Sequence, residues 1–126
     1  MAPTPRPVEL HLPADPHLLR VARVTVASVA ATLPFTLQEV EDLRIAVDEL
    51  AARSIEGLGP DAVLELQITA DDDGVTVSGR VPGAGPLPPL HPVALDLLAM
   101  TRIEQDDAGP DHRAFRFTKR VQVTLP

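Results

Sequence analysis

An α+β two-layer sandwich is the fold class this sequence predicts: a mixed, mostly antiparallel sheet covered on one face by helices, in the order β-α-α-β-β-α-β-β. Three observations predict it. Short stretches alternate apolar and polar residues with period 2, as in Val8-Glu9-Leu10-His11-Leu12 and Leu64-Glu65-Leu66-Gln67-Ile68. Two longer stretches between those carry apolar residues at helical spacing. Acidic and glycine residues at Asp71-Asp72-Asp73-Gly74 then turn the chain from Leu64, Leu66 and Ile68 into Val75 and Val77, which reads as a hairpin.

The elements follow in order. Val8, Leu10 and Leu12 define the first strand. Asp15 offers a capping oxygen to a helix whose first position is Pro16, which has no N–H to lose there. Leu18, Ala22, Val26, Val29 and Leu33 carry that helix from about Pro16 to Leu33. Thr36 and Glu39 form a capping box, flanked by the staple pair Phe35 and Val40, so the second helix starts at Leu37. Its core stripe is Val40, Leu43, Val47, Leu50 and Ser54, its polar side carries Asp42, Ile45, Glu49, Arg53 and Glu56, and Gly57 ends it. After the hairpin, Val81 to Pro92 is rich in Pro and Gly and predicts an irregular, extended loop with few backbone donors. Val93 to Met100 is a short apolar helix. A strand is expected from Thr101, a polar turn from Asp106 to Asp111, and a last strand or strand pair with Phe115, Phe117, Val121, Val123 and Leu125.

The chain has 126 residues, which fits one domain over residues 1–126, with 1–6 as a disordered or extended tail. Only three residues are aromatic, all Phe, so aliphatic side chains must fill the core. The formal charge of -7 argues against binding to a phosphate backbone or an anionic membrane surface. With no cysteine there is no disulfide or thiolate zinc site, and Met1 to Pro7 lack the apolar run of a signal peptide. A cytoplasmic location is expected. His11, His17, His91 and His112 are scattered without metal-ligand spacing, and the Asp71–Asp73 run lacks the other ligands of a calcium loop.

Chemistry is concentrated in the second helix. Its run Glu41-Asp42-Leu43-Arg44-Ile45-Ala46-Val47-Asp48-Glu49-Leu50, taken with Leu19-Arg20-Val21-Ala22-Arg23 in the first helix, resembles the anti-sigma factor serine kinases of actinobacteria and bacilli. These belong to the GHKL, or histidine-kinase-like, ATPase superfamily, and the resemblance spans nearly the whole chain. It implies the GHKL fold, a role in transcription regulation during stress or sporulation, and a sigma factor or an antagonist protein as partner. It also implies a tendency to form homodimers.

By the same resemblance, Glu49 matches a general base that activates a serine on the antagonist, and an Asn one turn later holds magnesium. This chain has Arg53 there, a side chain with donors only that cannot coordinate a cation. Glu49 and Arg53 at i,i+4 suit instead a surface ion pair worth about 0.3–0.5 kcal/mol. The family's Asp-x-Gly-x-Gly is replaced by Ser78-Gly79-Arg80-Val81-Pro82-Gly83-Ala84-Gly85: Gly83 and Gly85 would still permit close approach, but the carboxylate that would hold adenine is missing. The expected phosphate-binding helix entry reads Pro88-Pro89-Leu90-His91-Pro92-Val93, and three prolines remove three N–H donors.

The nucleotide-pocket remnant is thus Glu49, Arg53, Gly83 and Gly85, with Glu49 catalytic only in a kinase, and no metal site is expected. Arg20 and Arg23 are candidates for partner binding by bidentate pairing, against a reading in which their stems simply cover aliphatic surface. The leading expectation is an anti-sigma-factor-like protein that sequesters a sigma factor without phosphotransfer and without a cofactor. Two alternatives stay open: an active serine kinase using ATP and magnesium, and a non-catalytic GHKL-fold domain serving an unrelated partner.

Overall fold

The computed structural model describes residues 6–106 and 113–122. In it β1 (Val8–Pro13), a 3-10 turn (Pro16–Leu18), α1 (Leu19–Ala30), α2 (Leu37–Ile55), β2 (Val63–Asp71), β3 (Gly74–Arg80), α3 (Pro92–Thr101), β4 (Glu104–Asp106) and β5 (Ala114–Arg120) follow one another. The sheet order is β1-β2-β3-β5-β4. Each neighbouring pair is antiparallel, so the expected mixed sheet has no parallel pair among the described residues. The result is an α+β two-layer sandwich, consistent with the GHKL-like architecture.

Register places Leu10 opposite Leu66 and Val77 opposite Phe117, so the period-2 apolar residues fall on one face. Leu64, Leu66, Ile68, Val75, Val77 and Phe117 on that face are fully buried against Val26, Leu43, Val47 and Leu50 of α1 and α2. The opposite face is polar, and Thr76 and Thr118 hydrogen bond across it at 2.9 Å. Gly79 lies under the Phe115 ring, where a Cβ would stand 2.4 Å from the ring edge, so a side chain is excluded there.

Several boundaries differ from the sequence expectation. The first helix begins as a 3-10 turn capped by Asp15, which accepts from the His17 N–H at 2.9 Å, and its α-helical part ends at Ala30, before Leu33. The Pro34 ring after that point cannot continue an α-helix. Thr101 closes α3 instead of opening a strand, and Arg102 leaves the helix at φ 55 before β4 starts at Glu104. Pro92, expected to be the end of the loop, is the first residue of α3, where a missing N–H does no harm. Val121 follows β5. Residues 1–5 of the tail expected at 1–6, most of the polar turn, His112, Val123 and Leu125 lie outside the described residues.

Asp42 is the largest departure from the amphipathic pattern. Expected on the polar side of α2, it is buried, where Lys119 Nζ donates to its Oδ2 at 3.4 Å and Gln38 Nε2 to its Oδ1 at 3.0 Å. Lys119, also buried, donates a second bond to the Thr101 carbonyl at 2.6 Å. Two charges out of water are tolerated because each answers the other and the spare proton meets the end of α3.

Candidate functional site

The C-terminal half of α2 forms one wall of a cleft of about 420 Å³. Helical spacing turns Glu49, Ala52 and Arg53 toward it, and Glu56, the residue that follows the helix, lines it too. Ala14, Pro16 and Leu19 form the second wall, and Pro89, Leu90, His91 and Ala94 form the third. Most of this lining is apolar, and the polar groups are few, as in many small-molecule sites.

The charged residues of the cleft are arranged differently from the sequence expectation. No ion pair joins Glu49 and Arg53; Arg53 Nε instead donates to the Pro88 carbonyl across the cleft mouth. That carbonyl lies in a segment whose prolines leave few donors, so Arg53 gains an acceptor that a surface Glu would have to compete for. Partial burial holds the guanidinium below its ordinary pKa. Glu56 bonds His91 Nε2 at 3.1 Å, a second tie between α2 and the residue that caps α3. Glu49 is half-buried and has no hydrogen-bond or ion-pair partner among the described residues.

Gly83 and Gly85 stand apart from this lining. Their φ values of 75 and 79 and the open space around a would-be Cβ explain them as turn residues of the loop between β3 and α3. The three prolines at the entry to α3 sit beside the cleft, and Pro89 is part of its wall. Among the described residues no group of His, Asp and Glu is placed to hold a metal ion. Arg53 has only donors and cannot coordinate a magnesium ion, and Pro88, Pro89 and Pro92 offer no backbone N–H to a phosphate.

Of the two arginines on α1, Arg20 is exposed, and Arg23 pairs with Asp48 of α2 at 3.4 Å. Arg113 carries a role that the sequence did not reveal. Its Nη1 donates to the Ser54 and Glu56 carbonyls at 3.2 and 2.8 Å, satisfying the end of α2 and tying it to the start of β5. A basic residue near a helix C-terminus is the usual signal, but here it arrives from a residue 59 positions from Ser54.

No model of a known protein family matches the chain. Individual proteins do. The serine-protein kinase RsbW of Bacillus velezensis is 27% identical over an alignment of 100 residues that covers 68% of this chain and 62% of that protein. The Bacillus subtilis serine-protein kinase RsbW is likewise 27% identical, over 101 residues and with the same coverage. The anti-sigma-F factor RsbW of Mycobacterium tuberculosis is 36% identical over 72 residues, covering 57% of this chain and 43% of its own length. The chain thus spans 62% of the length of the Bacillus relatives it matches. Weak homology therefore links this chain to the RsbW serine-protein kinases and anti-sigma-F factors.

Proposed function

We propose that the chain is an anti-sigma-factor-like regulatory protein that acts by binding a sigma factor, without phosphotransfer. Relatives named as anti-sigma-F factor and as serine-protein kinase support the first half. The Arg53 contact carries the second. At the position where the resemblance calls for a magnesium-holding Asn, a guanidinium reaches across the cleft to the Pro88 carbonyl. Phosphoryl transfer needs metal, phosphate clamp and base together, and only Glu49 remains of the three. The binding surface in this reading is α1, where exposed Arg20 is free to meet a carboxylate and Arg23 is held in place by Asp48.

One observation favours the kinase reading: Glu49 faces the cleft without a partner among the described residues, as a general base would. Thermal unfolding with and without millimolar Mg-ATP separates the two. A nucleotide at roughly 100 times its Kd adds about 2.7 kcal/mol and raises the midpoint by on the order of 10 °C. No shift is expected, while co-elution with one of the host's sigma factors is expected and should be lost in Arg20→Glu. A full nucleotide shift, together with phosphate appearing on a serine of an antagonist protein, would overturn the non-catalytic half. Failure to co-elute with any sigma factor would overturn the other.

A further inference from the structure

The cleft between α1, α2 and the entry to α3 has a charge pattern of its own. Its walls are hydrocarbon from Pro16, Leu19, Ile55 and Leu90. Two carboxylates, Glu49 and Glu56, face it against one guanidinium. The guanidinium is drawn to the Pro88 carbonyl, and Glu56 is engaged by His91. Glu49 is left as a half-buried carboxylate with no partner among the described residues, beside apolar walls. A charge in such a place is stabilised most by an opposite charge that arrives with its own apolar body, because the pair forms at lower dielectric than at an open surface.

We propose that this cleft is a binding site for a small organic cation, a primary amine on a compact hydrocarbon body. The ammonium pairs with Glu49, and the hydrocarbon fills the space against Leu19, Ile55 and Leu90. The volume of about 420 Å³ is in the range of small-molecule sites. An anionic ligand would meet two carboxylates there. Arg53 acts in this site as a positioning residue: its bond to Pro88 holds Pro89 and Leu90 in place as the third wall.

The inference rests on the reading of the cleft as lacking a nucleotide clamp, and the test keeps the two separable. Cyclohexylmethylamine is titrated into the 15N-labelled protein, with cyclohexylmethanol as its neutral counterpart. Saturable amide shifts at millimolar concentration or below, confined to residues 14–19, 49–58 and 89–94, are expected. The alcohol should bind at least about tenfold more weakly, and Glu49→Gln should lower amine affinity by a similar factor. If Glu49→Gln does not fold, the amine-to-alcohol ratio in the unaltered chain and a Glu56→Gln variant carry the same decision. Equal binding of alcohol and amine, amine binding untouched by Glu49→Gln, or no saturable shift overturns the proposal. Amine binding in a protein that also gains stability from Mg-ATP upholds this inference and overturns the non-nucleotide reading. No amine binding with no Mg-ATP effect does the reverse.

Discussion

Lys119 and Asp42 show how one contact can tie three elements together. The ammonium joins β5 to the carboxylate on α2 and to the final carbonyl of α3, and both side chains are out of water. Removing one partner leaves the other buried and alone, a loss of about 3–5 kcal/mol. Lys119→Met should therefore lower the urea midpoint strongly, whereas Lys119→Met combined with Asp42→Leu should recover most of the loss. A single variant within about 1 kcal/mol of the parent would show that water reaches the pair and that it carries little. Sequence reading placed Asp42 on the polar side of its helix because a carboxylate is usually solvated. Its cation lies 77 residues away, and periodicity holds no information about a partner at that distance. The expected Glu49–Arg53 ion pair fails for the same reason. Their spacing suits a pair, but the competing acceptor is a backbone carbonyl 35 residues off.

Elements whose signals are local were legible. The start of α2 is one: the Thr36 hydroxyl accepts from the Glu39 N–H at 3.1 Å, and Glu39 Oε1 accepts from the Thr36 N–H at 3.0 Å. Both partners lie three residues apart, so sequence alone contains the motif. Thr36→Ala should cost about 1 kcal/mol and lower the melting midpoint by about 4 °C, measured by circular dichroism at constant pH. An unchanged midpoint would mean that tertiary packing of α2, not its cap, sets where the helix begins. The hairpin between β2 and β3 was legible in the same way, since Asp71 Oδ1 accepts from the Asp73 and Gly74 N–H groups at 2.8 and 3.1 Å. The ends of α1 and α3 were not. α1 carries apolar residues past its last turn and α3 carries them to its end, so the apolar pattern continues where α1 stops at Ala30 and up to Arg102, where the backbone leaves α3.

Across the molecule, stability is distributed unevenly, and the cleft lies on the weaker side. The sheet and α1 with α2 enclose the fully buried residues, while the segment between β3 and α3 has little backbone bonding of its own: Ala84 N–H reaches the Val81 carbonyl at 3.4 Å. Arg53 to Pro88, Glu56 to His91 and the packing of Leu90 on the core hold that segment down. The far end of α3 is pinned separately by Lys119. Arg53→Ala should therefore loosen the entry of α3 and spare its exit. A bond to a charged donor is worth about 1.5–3 kcal/mol, so exchange of the Leu95 amide, bonded to the His91 carbonyl at 3.0 Å, should quicken by about tenfold or more. Amides of Val75 and Val77 in the central strand should keep their rates. If every amide quickens together, Arg53 contributes to global stability only, and the third wall of the cleft is held by the core packing of Leu90. If Leu95 alone responds, the guanidinium that replaces a metal-binding side chain in the resemblance has become the fastening of the cleft's own wall.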